Sequence, residues 1–391
     1  MSFVALVIVC AVAFTAPLVS NAIPRVRVPS VVLEILAGVV IGPAVLGWVE
    51  VDEPIRVLSV IGLSCLLFLA GFELDVTLIA GRRLQVTALA FAVSGAIAYG
   101  VSLALHAAGI VESTLLVAIC LSASALGIIA PVLKDAGESA SEFGQLVITA
   151  ASIADFGTIL VLSLLFSRES GSIAVRLLLM GGFVVLTAII VFAMVYADRW
   201  TGLETALRRL QDSTAQIRVR GAFLMLVGFA ALAGQLGLEV ILGAFVAGAL
   251  LSVLDHDYRR THPKFHDKLD AIGFGVFVPV FFVASGLQFD VGSLFADGRT
   301  LLRVPLFLAA LLAARGLPAL FYRPLVGSSR AVVAGLLQAT SLPFIVATTT
   351  IGVEMKALAP ANASALVAAG LLSVVIFPMT AVALLRRDTP A

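Results

Sequence analysis

Three ionisable side chains, Glu34, Asp155 and Arg315, lie inside long apolar runs of the sequence. A charge at membrane depth costs roughly 2.5–3.5 kcal/mol or more, so each of them is a candidate functional residue. Asp155 lies about eleven residues into its run, or ~16 Å at helical rise, which places it near the bilayer midplane. A carboxylate there can accept a proton or a desolvated cation, but not both. The sequence therefore makes Asp155 a candidate functional residue, with a hydrogen bond to a neighbouring helix as the structural alternative.

Glu34 and Arg315 could instead have structural roles. Arg315 is nearer to the cytoplasmic end of its run, and an arginine there can extend its guanidinium to the interface. Glu34 is six residues from the end of its run, which favours a hydrogen-bonded packing role. Glu34 and Glu73 are nevertheless the secondary candidates for carrying a proton.

Two apolar runs are interrupted by small, hydroxyl-bearing residues and proline. Unwound backbone at membrane depth exposes carbonyl groups that can bind ions. In the first interruption we expect the ion ligands to come from Ser122, Ala123 and Ser124. The second interruption carries the polar residues Gln338, Thr340 and Ser341, followed by Pro343. Ordinary hydrogen bonding between helices is the alternative role for these hydroxyl groups.

The composition sets the environment of these residues. Of 391 residues, 61% are hydrophobic and 13% are charged, whereas a soluble domain carries about 25% charged residues. Lys and Arg number 25 and Asp and Glu number 24, so no basic surplus is available to bind nucleic acid. The three cysteines lie in apolar runs, which excludes a disulfide scaffold and a zinc site, and we expect no cofactor. The solvent of this chain is a lipid bilayer.

Thirteen apolar runs are long enough to span a bilayer as helices. They lie at 2–20, 28–47, 57–73, 85–108, 113–133, 143–166, 173–196, 217–236, 238–254, 269–287, 301–321, 329–351 and 361–385. Eighteen Lys and Arg residues fall on one side of this topology and six on the other. The positive-inside rule then places the N-terminus outside and the C-terminus in the cytoplasm of a cell membrane. The prediction is a single all-α transport domain over 1–391.

Two segment pairs indicate an internal repeat. The stretch 33–38 resembles 238–243, and 67–76 resembles 282–291 with Gly, Asp and Val coinciding. Each pair is seven spans apart, so its members cross the membrane in opposite senses. We therefore predict inverted halves at 1–166 (spans 1–6) and 217–391 (spans 8–13), joined by 167–216. Inverted repeats with midplane sites are typical of secondary transporters.

One inner loop is rich in histidine. His256, His262 and His266 lie within 255–268, and histidine titrates near physiological pH. The loop is therefore a candidate pH-responsive patch, with an ordinary solvated loop as the alternative.

At its motifs the chain resembles the second family of monovalent cation:proton antiporters, which includes Kef-type and NapA-type transporters. The stretch 33–43 is similar to the family's E-L-L-A-G-I-I-L-G-P. Likewise 68–75 resembles F-x-x-G-L-E-L-D, and 243–248 resembles G-A-F-L-A-G. The resemblance implies an NhaA/NapA-like fold with crossed broken helices. It also implies a core domain of spans 4–6 and 11–13, and a dimerisation domain of spans 1–3 and 8–10 in a homodimer.

The resemblance also implies residue roles. Asp155 falls on the family's ion- and proton-binding aspartate, Ser124 on the hydroxyl of the broken helix, and Arg315 where sodium-exchanging relatives carry lysine. Ala154 departs from the family, which has Asp, Asn or Gln before the aspartate. Kef-type members carry a cytosolic regulatory domain after the last span, which 391 residues do not include. Regulation by a separate cytosolic subunit is one expectation, and a regulatory domain that has been removed from the chain is the alternative.

The resulting hypothesis is electroneutral exchange of one Na⁺ or K⁺ for one H⁺, serving pH homeostasis. Two rivals stay open: a sodium-coupled organic anion symporter of related fold, and a Kef-type potassium efflux pathway that needs a regulatory subunit. A channel is less favoured because no filter-like loop is visible. An enzyme is least favoured, because the sequence offers no nucleophile–base pair.

Overall fold

The computed structural model describes residues 3–22, 29–73, 81–165, 175, 177–187, 189, 216–254, 264–295 and 298–388. Across these ranges the secondary structure is helical, without a strand. His256 and His262 lie outside the described residues, as does most of the predicted connector 167–216. The motif residues 74–76 also lie outside them.

The N-terminal half contains eight described helices. They are α1 Phe3–Ala22, α2 Ser30–Ile41, α3 Glu53–Phe72, α4 Gly81–Ala107, α5 Thr114–Ser122, α6 Leu126–Asp135, α7 Glu142–Leu165 and α8 Leu177–Thr187. Local sequence explains several of their ends. Ser113 caps α5 by accepting a bond from the Leu116 N–H at 3.3 Å, and Ser141 caps α7 through the Gly144 N–H at 3.0 Å.

The C-terminal half contains the remaining helices. They are α9 Ile217–Gln235, α10 Val240–Leu254, α11 Lys264–Ile272, α12 Val278–Leu287, α13 Val291–Phe295, α14 Gly298–Leu311, α15 Arg323–Val326, α16 Ser328–Gln338, α17 Pro343–Glu354 and α18 Pro360–Asp388. Pro343 opens α17 because proline at the first helical position gives up an N–H that would have no intrahelical partner.

Each of the thirteen predicted runs contains at least one helix. Within the described part of the chain, nine helices are long and apolar enough to cross a membrane, and four shorter apolar helices accompany them. The fifth and twelfth runs are interrupted as predicted, because α5 and α6 are separate helices and so are α16 and α17. The chain is therefore a polytopic all-α membrane protein.

The tenth and eleventh runs are less regular than their hydropathy indicates. A π-helical turn at Gly273–Phe277 separates α11 from α12. A second π-helical turn, Leu312–Gly316, follows α14 and leads into a 3₁₀ segment, Leu317–Tyr322. Pro318 lies in that segment and lacks the N–H that a continuous α-helix would use there. Such single π turns occur often at functional sites, and the second one contains Arg315.

The described residues divide into two compact units. The first comprises 1–59, 76–158 and 279–391, and the second comprises 60–75 and 159–278. The main buried cluster of the first unit joins α6, α7 and α16, with Phe143, Val147 and Leu337 fully buried. The division into a core and a dimerisation domain stays a prediction.

Each unit contains a close helix crossing made through a pair of glycines. In the first unit, a Cβ on Gly38 of α2 would overlap the Val283 carbonyl of α12, and a Cβ on Gly286 would overlap the Ile35 carbonyl. In the second unit, Gly71 of α3 lies in the same way against the Phe245 carbonyl of α10.

At the same crossing, α10 contributes Gly248, where a Cβ would overlap the Phe68 carbonyl of α3. Span 2 thus pairs with span 10, and span 9 pairs with span 3. Exchanging the two predicted halves would convert one crossing into the other, and the division into inverted halves at 1–166 and 217–391 stays a prediction.

Candidate ion-binding site

The first interruption is a short extended segment between α5 and α6. Ala123 has φ −70° and ψ 155°, and Ala125 has φ −139° and ψ 78°, so neither is helical. The break leaves the N–H groups that open α6 without intrahelical partners. The Asp155 carboxylate accepts a hydrogen bond from one of them, the Leu126 N–H, at 3.4 Å. A negative charge is thereby placed at the positive end of a half-helix.

Asp155 lies near the middle of α7, half-buried among small residues. Ala154 and Ala151 beside it are fully buried. The neighbouring hydroxyl groups bond within their own helix, since Ser152 donates to the Ile148 carbonyl at 2.9 Å and Thr158 donates to the Ala154 carbonyl at 2.6 Å. These helical hydrogen bonds leave the carboxylate as the charged group on this part of α7.

The second interruption, 339–342, separates α16 from α17 and is held differently. The Ser341 N–H donates to the Ser373 hydroxyl of α18 at 3.1 Å. That hydroxyl has two acceptors within reach, the Gly370 carbonyl of its own helix at 2.7 Å and the Ser341 carbonyl at 3.1 Å. The Thr340 hydroxyl donates to the Leu336 carbonyl at 3.3 Å. Both Thr340 and Ser341 are fully buried.

The two interruptions meet at Gln338, the last residue of α16. The Ser124 hydroxyl donates to the Gln338 main-chain carbonyl at 3.2 Å. Residues 214 positions apart in sequence are therefore in direct contact at the centre of the first unit. Ser122, by contrast, donates its hydroxyl to the Ala118 carbonyl of its own helix at 2.7 Å.

Arg315 is buried, with only 5% of its surface exposed, so it does not extend to the membrane interface. Its Nε donates to the Gln338 carbonyl at 3.4 Å, one Nη donates to the Ser94 hydroxyl of α4 at 3.3 Å, and the other donates to Gln338 Oε1. The Gln338 amide in turn donates to the Val147 carbonyl of α7 at 2.9 Å. The Asp155 carboxylate also acts electrostatically on the guanidinium.

The arrangement brings together Asp155, Ser124, Ala123, Arg315 and Gln338 from separate helices. Glu34 is buried in α2, whose Gly38 packs against α12, and Glu73 follows α3 in the second unit. Neither of these two carboxylates belongs to the cluster around Asp155. Ser94 and Ser373 were not among the predicted site residues, because each is a single serine in an apolar stretch.

The donor set around the first interruption consists of oxygen atoms of the kind that can ligate a monovalent cation. Among the described residues, no group of three or more His, Cys, Asp or Glu side chains could hold a metal ion. One carboxylate, one hydroxyl and the carbonyl groups of an unwound segment are hard oxygen donors. A site of that kind can release its ion readily and can bind a proton in its place.

A polytopic helical protein with two interrupted helices crossing beside a mid-span carboxylate has the architecture of a secondary transporter. Residues 10–387 match the model of one family, described as sodium/hydrogen exchanger, transmembrane. The chain therefore belongs to the sodium/hydrogen exchanger family.

Three relatives are similar over much of the chain. YjbQ of Bacillus subtilis (strain 168), a provisionally named Na(+)/H(+) antiporter, is 29% identical over 99% of this chain and 64% of its own length. The Na(+)/H(+)-K(+) antiporter GerN of Bacillus cereus is 29% identical over 68% of this chain and 66% of its own. The Na(+)/H(+) antiporter of Enterococcus hirae is 27% identical, covering 72% of this chain and 73% of its own. The chain thus spans slightly less than two thirds of YjbQ and GerN.

The structure of the sodium proton antiporter MjNhaP1 from Methanocaldococcus jannaschii at pH 8 is similar in fold. Its TM-score is 0.70 at 16% identity, with 98% of each chain covered. This likeness confirms the predicted NhaA/NapA-like fold.

Proposed function

We propose that the chain exchanges Na⁺ or K⁺ for H⁺ across the membrane, with both ions competing for the carboxylate of Asp155. The observation that carries the proposal is the position of this carboxylate at the opening of α6, beside the crossing of two interrupted helices. A protonated carboxylic acid is a poor cation ligand, and a cation-bound carboxylate is a poor proton acceptor. Competition at one group is therefore sufficient to couple the two fluxes.

The cation ligands would come from groups around the first interruption. Ser124 offers a hydroxyl oxygen, and the extended backbone at Ala123 frees main-chain carbonyls from helical bonding. Ser122 could contribute its carbonyl, because its hydroxyl is committed to the Ala118 carbonyl. Oxygen donors of this kind suit Na⁺ and K⁺, which are hard cations.

Arg315 would balance the charge of the site without titrating. Its guanidinium stays protonated throughout the physiological range. It contacts Gln338 at the second interruption, where it can stabilise the carbonyl end of α16 and the empty, charged form of Asp155. With Ala154 before it, Asp155 is the single titratable carboxylate of the cluster, and we expect one H⁺ to exchange for one cation.

The finer assignments follow from the family resemblance. We infer a NapA-like or Kef-like subtype working by alternating access, with spans 4–6 and 11–13 moving against spans 1–3 and 8–10 in a homodimer. We infer an external N-terminus and a cytoplasmic C-terminus from the distribution of basic residues. The name of GerN supports K⁺ as a second cation.

Transport in proteoliposomes tests the proposal directly. Purified protein is reconstituted with a pH gradient and an internal pH dye, and Na⁺, K⁺ and Li⁺ are added separately. Cation-dependent dissipation of the gradient is the expected result. Sodium-dependent uptake of an organic anion without such dissipation would favour the rival symporter. Conduction of cations without counterflow of protons would favour the channel-like Kef pathway.

A further inference from the structure

A second polar network, made of other residues than the cluster around Asp155, joins the α4–α5 loop to the start of α18. Asn362 lies in the first turn of α18 and is fully buried. Its amide nitrogen donates to the Ile110 carbonyl at 2.9 Å and to the Glu112 carboxylate, whose two oxygens are each 3.0 Å away. Glu112 also accepts a hydrogen bond from the Ala359 N–H at 3.2 Å. We name these contacts the Asn362 clamp.

Each polar atom of the Asn362 side chain has a partner. Its oxygen accepts a hydrogen bond from Arg303 of α14 at 2.7 Å, and its nitrogen donates to the Ile110 carbonyl and to Glu112. The amide thus lies between a guanidinium and a carboxylate, and hydrogen bonds to charged groups are the stronger kind. Removing such a buried bridge is costly because it leaves its partners unpaired. Asn362 therefore fastens the α4–α5 loop and α14 to α18.

The Asn362 clamp also ties the two interrupted helices together. Glu112 lies two residues before α5, which ends at the first interruption, and Ala359 follows α17, which begins at the second. The two half-helices pack on each other, since a Cβ on Gly352 of α17 would lie 2.8 Å from the Leu116 side chain of α5. The α5 helix has nine residues, is about 13 Å long, and is buried from Leu116 onward. A displacement at Glu112 is therefore carried along this short, buried helix to Ser124.

The other two half-helices are tied by a second contact. Glu138 follows α6, and Arg330 lies in the first turn of α16. An Nη of Arg330 donates to Glu138 Oε1 at 3.2 Å, and its guanidinium carbon is 5.6 Å from the centre of the Phe143 ring. The two charged side chains are 41% and 19% exposed, and exposed ion pairs contribute little. The Asn362 clamp is therefore the stronger of the two connections.

We propose that Asn362 is a positioning residue for the ion site: its clamp holds α5 and α17 in register and thereby sets the affinity for the transported cation. This role rests on the proposed exchange at Asp155, and Asn362 itself does not bind the ion. A loosened clamp would let Ser124 and the carbonyls of the first interruption move relative to Asp155, which is held on α7. Cation binding would weaken, while the carboxylate that competes for H⁺ would stay in place.

Exchange in proteoliposomes, measured over a range of Na⁺ concentrations, tests this role. Asn362→Ala should raise the Na⁺ concentration for half-maximal exchange about two- to twelvefold, the effect of losing one hydrogen bond, and should retain the rate at saturating Na⁺. Arg330→Gln should give a smaller shift, because its ion pair is partly exposed. Glu354→Gln, at the exposed carboxylate that ends α17, is the matched control and should change neither quantity.

Exchanging the two side chains separates the contact itself from a general loss of stability. Asn362→Asp places a carboxylate opposite Glu112 and should also raise the half-maximal Na⁺ concentration. Adding Glu112→Gln should lower that concentration again, because an amide then faces a carboxylate once more. Failure of the second change to restore cation affinity would overturn the proposal. An unchanged half-maximal concentration in Asn362→Ala would overturn it as well, whatever the effect on the rate or the melting temperature.

Cys120 gives a measurement that does not depend on transport. It lies in α5 and is fully buried, so maleimide reaches it only when α5 is displaced. In a Cys10→Ser, Cys65→Ala background, labelling of Cys120 should be faster in Asn362→Ala and unchanged in Glu354→Gln. Wild-type labelling in Asn362→Ala would overturn the proposal. If the wild type did not exchange cations, the proposed function would fail, and faster labelling would still support the positioning of α5 by Asn362.

Discussion

The two interrupted helices of the first unit are held by different chemistry. At the first interruption, the opening N–H of α6 is bound by the carboxylate of Asp155, 3.4 Å away. At the second, the Ser341 N–H donates to the neutral hydroxyl of Ser373 at 3.1 Å, and that hydroxyl has two acceptors, the Gly370 carbonyl at 2.7 Å and the Ser341 carbonyl at 3.1 Å. One interruption is thus stabilised by a group that gains and loses charge, and the other by a group that does not titrate.

This difference assigns separate roles to two otherwise similar elements. Protonation of Asp155, or its binding to a cation, changes the electrostatic field at the start of α6. The Ser341–Ser373 pair is indifferent to both events. Under the proposed exchange, the second interruption would be a fixed support that positions Gln338 and Arg315, while the first would respond to the bound ion. Four predictions test this division.

The largest effect is expected at Asp155. Asp155→Asn should abolish Na⁺- and K⁺-driven proton flux, because the amide can neither take up a proton nor neutralise a cation. The folded state should survive, since the amide oxygen can still accept the bond from the Leu126 N–H. The measurement is dye-reported exchange in proteoliposomes, alongside thermal melting of the purified protein.

Glu142→Gln is the matched control for this variant. Glu142 opens the same helix, α7, and its side chain is 86% exposed. Exchange should be unchanged in that variant. Asp155→Glu should keep partial activity with an altered cation affinity, because the carboxylate is displaced by one methylene. Wild-type rates in Asp155→Asn would refute the assignment of Asp155 as the shared site.

The second largest effect is expected at Arg315, which contacts Gln338 at the second interruption. Arg315→Ala should slow exchange and lower stability, because Ser94 and the two acceptor oxygens of Gln338 lose a buried donor; an unsatisfied buried polar group costs about 1–3 kcal/mol. Arg315→Lys should retain more of both properties, since it keeps the charge but not the forked geometry. Arg323→Ala removes an exposed arginine from the following segment and serves as the control. If Arg315→Ala matched the wild type in melting temperature and rate, the buried network would have no role in the site.

The third prediction compares one serine variant at each of the two interruptions. Ser124→Ala removes a neutral hydrogen bond worth about 0.5–1.5 kcal/mol and an ion ligand, so the cation concentration for half-maximal exchange should rise about two- to twelvefold. Ser373→Ala should lower the melting temperature but leave that concentration unchanged. A shift in cation affinity for Ser373→Ala equal to that for Ser124→Ala would show that the two interruptions do not differ in role.

Much of the fold could be predicted from the sequence because lipid imposes a simple rule on hydropathy. A spanning helix must be apolar over its length, so thirteen runs were visible without tertiary information. The π-helical turns at Gly273–Phe277 and Leu312–Gly316 were not predictable, because a single widened turn leaves the apolar composition unchanged. The pairing of Gly38 with Gly286 could not be read from spacing, since it depends on how distant helices cross.

The charged members of the site were visible for the same reason. Asp155 and Arg315 are conspicuous because few charges occur within apolar runs. Ser94 and Ser373 were missed, because a single serine in a span usually bonds to its own helix, as Ser152 does and as Ser373 does with the Gly370 carbonyl. The role of Ser94 depends on Arg315, which is 221 positions away in sequence, and the contact arises only from packing.

The last prediction, with the smallest expected effect, is that membrane voltage does not change exchange. Asp155 at the first interruption is the one titratable carboxylate among the residues gathered around Gln338, because Ala154 precedes it, and Arg315 at the second interruption keeps its proton. One H⁺ should therefore exchange for one cation, and the cycle should move no net charge. A cycle that did move one charge would gain or lose ~2.3 kcal/mol per 100 mV. The measurement is Na⁺-driven exchange in liposomes, with and without a potential clamped by K⁺ and valinomycin. Neither the rate nor the end point should shift with voltage. A systematic shift would mean that a second group carries a proton. The variants Glu34→Gln and Glu73→Gln would then show whether the buried carboxylate of α2 or the carboxylate after α3 does so.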